Sequence, residues 1–265
     1  MDYLLKPQKR KIIESHFPDC PFCLINTGRY FEFLIDRKPV GFIGLSRGIS
    51  NRGLLTTLFD CPLKIDDYYE IVRSYCRHEY KNMPSKMLGI MLRMLKKYSD
   101  KKFIYTTGAG YLGVTGRIYQ AANFLYVGQF RTRAFYIKGV GYVHSRSFGG
   151  RYGSCSYPYL VKIFPDLKIR YAPIYRYLYF LKDREELMKH ARFKILPYPK
   201  REEMKIVEKD LNGEREINYK DAYDKIVSLK ANSKYYNRRP CVSGEKVSHP
   251  IQSEVGGSSP TLTLQ

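Results

Sequence analysis

Apolar and polar residues alternate along residues 29–46, on both sides of the turn residues Asp-Arg-Lys-Pro at 36–39. Because alternate side chains of a strand point to one face, this pattern predicts a β-hairpin. Short segments rich in Ile, Val, Phe and Tyr predict further strands at 66–76, 102–107, 125–130, 133–139, 141–146 and 174–182. The first of these also fits a helix, although a strand fits better.

A helical period marks residues 81–100. Apolar side chains recur there with the spacing of one helix face, at Leu88, Met91, Leu92 and Leu95. Asn82 and Ser85 are both candidate N-caps, and Pro84 suits the first turn. Shorter helices are predicted at 1–17, 117–124, 158–166 and 184–193.

The predicted order is hairpin, strand, helix, strand, short helix and further strands. It indicates the α+β class, with a mixed, mostly antiparallel central sheet flanked by helices. Residues 1–200 form one predicted domain. Residues 201–265 are a polar C-terminal extension, for which we expect one helix at 218–232 followed by disorder.

The charge of the chain is strongly positive, with 46 Lys and Arg residues against 25 Asp and Glu residues. The excess belongs to the predicted domain, because residues 201–265 contain 11 basic and 10 acidic residues. Such a surface attracts polyanions, of which nucleic acid is the commonest, although a merely solvated basic surface is the alternative. A membrane partner is not expected, since no basic helix has a clean apolar face.

The chain shows neither a signal peptide nor an apolar run long enough to span a bilayer, so we expect a cytoplasmic protein with reduced thiols. His16, Cys20 and Cys23 have a spacing that can supply three zinc ligands, but a local fourth ligand is missing. We therefore favour no metal site for the cysteines. The oligomeric state stays open, with a homodimer as one alternative.

A loop with glycine at 108, 110, 113 and 116 leads into the segment GRIYQAANFLYVGQF, residues 116–130. Backbone can approach a ligand closely where side chains are absent. The chain resembles the phage Mom-type DNA modification proteins, within the GNAT class of acyltransferases. The resemblance spans most of residues 10–200 and rests on the segments 69–73, 82–85, 116–128, 144–154 and 175–200.

This resemblance implies a GNAT-like fold and an enzyme that uses acetyl-CoA or a related acyl-CoA. Its substrate would be the N6 amine of adenine in double-stranded DNA, modified in a carbamoylmethylation-like reaction that protects phage DNA from host restriction. The enzyme would then work in the host cell cytoplasm. Two alternatives remain: a GNAT enzyme acylating another amine in RNA or protein, and a DNA-binding protein whose acyl-CoA site has decayed.

The resemblance also implies roles for the cofactor side of the site. Asn82, Ser85 and Lys86, at the start of the long helix, would bind the cofactor in place of the usual GNAT phosphate loop. Tyr119 would donate a proton to the leaving thiolate, and Thr106, with Thr107, is the polar candidate on the preceding strand. The alternative for Tyr119 is a core-facing position on the short helix.

His16 would serve as a general base or hold an iron ion, if the iron dependence proposed for the family applies; a buried structural histidine is the alternative. The loop departs from many Mom-type proteins at two positions, where Ala109 replaces an Asp and Val114 a His. Either departure would alter the chemistry if the missing residue is essential.

Other residues would bind DNA. Gln120 and Asn123, one turn apart, could pair with the N6/N7 edge of adenine, or alternatively brace the glycine loop. Tyr126 would pack on the base once it leaves the duplex. Arg73 lies in a matched segment and is a substrate-binding candidate. Five further arginines would contact phosphates or remain solvated: Arg131, Arg133, Arg146, Arg151 and Arg176.

Overall fold

The protein is described here by a computed structural model. Its described residues are 3–18, 20, 28–47, 52–77, 79–80, 82–137, 141–144, 154 and 156–222. No helix in these ranges is both long and apolar enough to cross a membrane.

The strands are β1 Tyr3–Gln8, β2 Gly28–Ile35, β3 Lys38–Arg47, β4 Tyr68–Cys76, β5 Phe103–Ala109, β6 Leu125–Ile137, β7 Gly141–His144, β8 Lys168–Phe180, β9 Ile206–Asp210 and β10 Gly213–Ile217. The α-helices are α1 Arg10–His16, α2 Arg52–Leu58, α3 Met83–Tyr98, α4 Arg117–Ala121, α5 Tyr157–Ile163 and α6 Arg184–Lys189. Short 3-10 helices span Ile65–Asp67 and Gly110–Leu112.

All strands join one sheet, in the order β1-β2-β3-β4-β5-β8-β6-β7, with β9 paired to β8 and β10 to β9. Among the described strands, only β4 and β5 run parallel, and α3 forms the crossover between them. Every other pairing is antiparallel. The predicted α+β class with a mixed, mostly antiparallel sheet is confirmed.

The predicted hairpin is present as β2 and β3. Its turn residues Asp36 and Arg37 have φ values of 46° and 66°. Positive φ at both central positions matches the twist of the flanking strands, as in a type I′ turn. The predicted strands on β4, β5, β6 and β8 and the helix α3 are also confirmed.

The helix predicted at 1–17 is wrong for its first half. Residues Tyr3–Gln8 form β1, which pairs with β2 from Tyr3↔Ile35 to Gln8↔Tyr30. Pro7 is tolerated because β1 is an edge strand. Pairing with a distant strand outweighs the weak local preference of this segment, and only Arg10–His16 is helical.

The sheet forks between β4 and β5. The two strands pair only from Tyr68↔Phe103 to Ile71↔Thr106. Beyond that point β4 continues against β3, and β5 continues against β8. The pairing of β3 with β4 shifts between Gly44 and Leu45, which leaves Val72 as a bulged residue beside the fork. Helix α3 begins near this open end, because it follows β4 in the chain.

The two faces of the sheet have separate cores. Helices α3 and α4 cover one face in a cluster that includes Met87, Leu88, Met91, Tyr119 and Tyr177. Helices α2 and α6 cover the other face in a second cluster that includes Leu55, Leu58, Phe103, Tyr105 and Leu187.

The sheet continues past residue 200, where the sequence predicted no strand. Strands β9 and β10 form a hairpin, and β9 pairs with β8 from Ile169↔Lys209 to Tyr171↔Val207. Charged residues recur along both strands, so the sequence did not reveal that Ile206 and Glu208 are buried. Residues 218–222 of the predicted helix form a turn, and the rest of that helix lies outside the described residues.

Candidate active site

The candidate active site lies at the fork. Thr106, the last residue of β5 that pairs with β4, is fully buried and donates a hydrogen bond from Oγ1 to the carbonyl oxygen of Ile71 at 3.2 Å. Beyond this pair the facing edges of β4 and β5 no longer bond to each other. Their backbone N–H and C=O groups can therefore bind an extended, amide-bearing ligand.

Tyr119 approaches the fork from α4. Its side chain is 8% exposed and packs at 5.5 Å, between ring centroids, against both Phe124 and Tyr177. Burial raises the pKa of the Tyr119 phenol, while a hydrogen bond with Thr106 and the positive charge of Arg73 oppose this without cancelling it. The phenol therefore holds its proton at neutral pH.

Arg73 lies on β4 directly after the bulge. Its Nη1 donates to the carbonyl oxygen of Val72 at 2.6 Å. Its positive charge also acts on a second tyrosine, Tyr111. Burial raises the pKa of the Tyr111 phenol, and the Arg73 charge opposes part of that rise. The structure thus brings together three of the predicted residues, Tyr119, Thr106 and Arg73. Tyr111 was missed, although its place in the glycine loop was the available signal.

The glycine loop packs closely against the sheet and positions α4. A Cβ atom at Gly110 would lie 2.3 Å from the carbonyl oxygen of Pro173, so no larger residue fits there. Gly116 has a φ of +79°, and a Cβ there would lie 2.6 Å from the ring of Tyr177. These close approaches hold Tyr119, three residues later, against β5 and β8.

Gln120 braces this loop. Its Nε2 donates to the carbonyl oxygen of Thr115 at 3.3 Å and to the hydroxyl of Tyr177 at 3.2 Å. Tyr177 in turn donates to the same carbonyl oxygen. The prediction that Gln120 reads adenine is therefore corrected in favour of the alternative, a structural brace.

Asn123 ends helix α4. Its φ is 60°, and its N–H donates to the carbonyl oxygen of Gln120. The N–H of Phe124 donates to the carbonyl oxygen of Tyr119. This pair of bonds is a Schellman motif, in which an asparagine is a common substitute for glycine. The helix stops at Ala121, so Asn123 does not share a helix face with Gln120 as predicted.

Tyr126 belongs to the core. Its ring is 6% exposed and packs against Tyr175 and Tyr177 at 6.1 and 5.6 Å between centroids. A ring enclosed in this way offers no face on which a flipped base could stack, which corrects the prediction for this residue.

The predicted cofactor residues share the first turn of α3. Asn82 and Lys86 are exposed, Ser85 is half-buried, and the Ser85 hydroxyl donates to the carbonyl oxygen of Asn82 at 3.0 Å. No acidic residue lies in this turn, and the Asn82 side chain makes no capping bond. The Met83 N–H donates to the carbonyl oxygen of Tyr80, and Pro84 has no N–H, so few backbone donors in this turn remain for a ligand. The turn fits an anion mainly through the helix dipole and Lys86.

Some predicted DNA contacts are exposed and others are not. Arg131 and Arg133 are exposed on β6, and Arg131 lies 4.9 Å from the centre of the Tyr171 ring. Arg176 is half-buried beside Gly128. Arg146 and Arg151 lie outside the described residues.

His16 lies on the face of the sheet opposite α3, at the end of α1. Its Nδ1 contacts Oε1 of Glu32 at 2.5 Å, and Nε2 of Gln8 donates to the other oxygen at 3.1 Å. The Glu32 side chain is 1% exposed and that of His16 39%. No bond joins His16 to Tyr119 or Thr106 within the described chain, and its role as a general base stays a prediction. Glu32 was missed because nothing in the sequence distinguishes it from other strand acids.

Within the described ranges, no group of three or more His, Cys, Asp or Glu side chains could hold a metal ion. The iron predicted at His16 thus has no ligand set there. Cys20 forms no disulfide within the described chain, and Cys23 lies outside it.

A mixed sheet forked between two parallel strands, with a buried tyrosine at the fork, is an α+β arrangement of the kind that the sequence resemblance predicted. Similar solved structures include an N-acetyltransferase from Staphylococcus aureus Mu50, at 9% identity and a TM-score of 0.38, covering 68% of this chain and 99% of that one. Another is NAA60 from Arabidopsis thaliana with a bisubstrate analogue, at 11% identity and a TM-score of 0.43, covering 68% and 98%. NAA60 in complex with acetyl-CoA matches at 10% identity and a TM-score of 0.41, with the same coverage.

The Mom protein family model matches residues 10–200. The chain belongs to the Mom protein family, as its sequence resemblance predicted. No curated protein matches it.

Proposed function

We propose that this chain is an acyl-CoA-dependent transferase that modifies the N6 amine of adenine in double-stranded DNA, and thereby protects phage DNA from host restriction. Membership of the Mom family supports the DNA substrate. The observation that carries the enzymatic part is the buried Tyr119 phenol, which holds its proton beside Thr106 at an open fork of the sheet.

Residues of this chain fit an acyl-CoA in two places. The first turn of α3 offers Lys86 and a helix N-terminus to phosphate groups, and the separated edges of β4 and β5 at the fork offer backbone groups to an amide chain. When bound, such a cofactor supplies an acyl group activated as a thioester. Tyr119 Oη then holds the proton that a departing thiolate needs, and the buried site excludes water from it.

The exposed arginines on β6 are the proposed DNA contacts. Arg131 and Arg133 project next to Tyr171 on a chain whose formal net charge is +21. Guanidinium groups in such positions bind phosphates and add affinity that falls with salt.

The test is a mass analysis of nucleosides from DNA of cells that express the protein. We expect a modified deoxyadenosine with the wild type and a strong reduction with Tyr119→Phe, by about 10²-fold or more. Tyr98→Phe is the matched control, because Tyr98 is 74% exposed at the end of α3. An unaltered deoxyadenosine pool with the wild type would overturn the proposed function.

Cofactor binding has its own test, independent of turnover. Acetyl-CoA at about 100 times its Kd should stabilise the protein by about 2.7 kcal/mol, seen as a rise in Tm. Lys86→Glu should diminish this rise. Lys182→Glu, an exposed change near the start of β5 at the closed end of the fork, should leave it intact. Equal rises in both variants would remove Lys86 from the cofactor site.

A further inference from the structure

A second group of polar side chains lines the fork on the face of the sheet that α2 and α6 cover. In the strand register, Glu70 pairs with Tyr105, and Thr107 pairs with Arg176. Side chains alternate between the faces of a sheet, so these four lie opposite Thr106. Tyr68, two residues before Glu70, belongs to the same face. We call these five residues the second-face cluster: Tyr68, Glu70, Tyr105, Thr107 and Arg176.

Two atoms of this cluster lack partners within the described chain. The Tyr68 hydroxyl and the Nε atom of Arg176 are both buried, and neither makes a hydrogen bond. Leaving a buried polar group unpaired lowers stability, and folded proteins rarely do so without a reason. Tyr68 is fully buried, so bulk water does not satisfy its hydroxyl in the free protein.

The members of the cluster lie within electrostatic reach of one another. Burial and the charge of Glu70 raise the pKa of Tyr68 to about 12. Burial also raises the pKa of Tyr105; Arg176 opposes this rise, and Glu70 and Tyr68 add to it. Both phenols therefore remain protonated donors, next to one carboxylate acceptor and one guanidinium donor.

The position of the cluster ties it to the fork. Glu70 and Tyr105 form the pair just before the last one between β4 and β5, and Thr107 is the first residue of β5 beyond it. Tyr119 approaches the same opening from the other face. A group bound at the second-face cluster would therefore contact a group bound beside Tyr119 through the opening between β4 and β5.

We propose that the second-face cluster binds the acceptor base, an uncharged heterocycle that carries an amine next to a ring nitrogen. Glu70 accepts from the amine, and Arg176 with a tyrosine hydroxyl donates to the ring nitrogen. Glu70 and Arg176 bring opposite charges to the cluster, which favours a neutral base over a phosphate. Arg176 is thereby assigned to the base instead of the DNA backbone. The inference rests on the proposed function and gives its acceptor a site.

The test measures binding, separately from turnover. Oligothymidine strands with one central adenine, or one central purine that lacks the 6-amino group, are titrated by fluorescence anisotropy. The wild type should prefer adenine by about tenfold, the scale of one good bidentate contact. Glu70→Gln and Arg176→Gln should each abolish most of this preference while keeping the acetyl-CoA-dependent rise in Tm. Glu185→Gln, an exposed change on α6, should alter neither.

Tyr68→Phe is a second variant that does not depend on the folding of the first two. Because the Tyr68 hydroxyl has no partner in the described chain, its removal should leave the Tm equal or higher and yet reduce the adenine preference. A lower Tm with unchanged preference would overturn the proposal, since the hydroxyl would then be structural.

The outcomes separate this inference from the proposed function. No adenine preference in the wild type, or a preference that survives Glu70→Gln and Arg176→Gln in folded protein, overturns the inference even if deoxyadenosine is modified. A preference lost in these variants supports it. If deoxyadenosine is not modified although the preference exists, the enzymatic proposal fails and the base site stands.

Discussion

Glu208 on β9 is a buried carboxylate whose removal should weaken the whole fold. It is 2% exposed and accepts hydrogen bonds from Nε of Arg170 at 2.8 Å, from Lys168 at 3.2 Å and from Arg215 at 2.5 Å. Nη1 of Arg170 also donates to the carbonyl oxygen of Ala222. The change Glu208→Gln removes the charge while keeping the size of the side chain.

The magnitude follows from the pKa of Glu208. Burial alone would raise it, but hydrogen bonds from Arg170 and Arg215 outweigh burial and lower it from 4.5 to about 2. At about 1.4 kcal/mol for each pH unit, the charged form adds about 3 kcal/mol to the free energy of unfolding. The folded pKa is the lower one, so this stability is complete above about pH 4.5 and disappears as the pH falls towards 2.

Urea unfolding at several pH values measures this effect. Glu208→Gln should lose about 3 kcal/mol at neutral pH, and its deficit should shrink to about half near pH 3. Glu214→Gln is the control, because Glu214 forms only an exposed pair with Lys209 and should cost less than about 1 kcal/mol. Equal midpoints for wild type and Glu208→Gln at neutral pH, or a deficit independent of pH, would refute the reasoning.

Two further stability predictions concern backbone geometry, and urea unfolding checks both. Gly110→Ala should destabilise the protein by about 1–3 kcal/mol, because its Cβ would lie 2.3 Å from the Pro173 carbonyl oxygen. Gly89→Ala, in the open interior of α3, is the control and should stabilise the protein by about 0.5–1 kcal/mol. Equal effects of the two changes would contradict this account. Asn123→Gly should keep or slightly raise stability, whereas Asn123→Val should lower it by about 1–2 kcal/mol, since its φ is 60°; a stable Val variant would argue against the Schellman end of α4.

The sequence was informative wherever local pattern decides structure. The turn at Asp36 and Arg37 and the apolar stripe of α3 are local signals, and both predictions are confirmed. β1 and β9 are different, because each is a strand only through its partner, β2 or β8. Charged residues along β9 and β10 look solvated until Arg170, on a distant strand, provides a buried partner for Glu208.

The same distinction applies to the site. Tyr119 was found because a family resemblance marks its segment, and Thr106 as a polar residue on the strand before the glycine loop; the fold places them together. Gln120 and Asn123 were assigned to DNA from their helix spacing and from the fit of their amides to adenine. The actual helix ends at Ala121, so that spacing did not hold: the Gln120 amide bonds to the local backbone, and the Asn123 main chain ends the helix. A five-residue helix is too short for its periodicity to predict which side chains face a ligand.

The two faces of the sheet differ in their electrostatics at the fork. On the α4 face, burial keeps the Tyr119 phenol protonated, and the nearby Arg73 charge opposes this without removing the proton. On the α2 face, Glu70 and Arg176 provide opposite charges beside protonated tyrosines. The proposed function needs a proton donor where the thiolate would leave, and the proposed base site needs a carboxylate where the amine would be held. Under these proposals, the separation of β4 from β5 would let the two groups meet without placing a carboxylate next to the Tyr119 phenol, where it would raise the pKa of the phenol further and slow proton transfer.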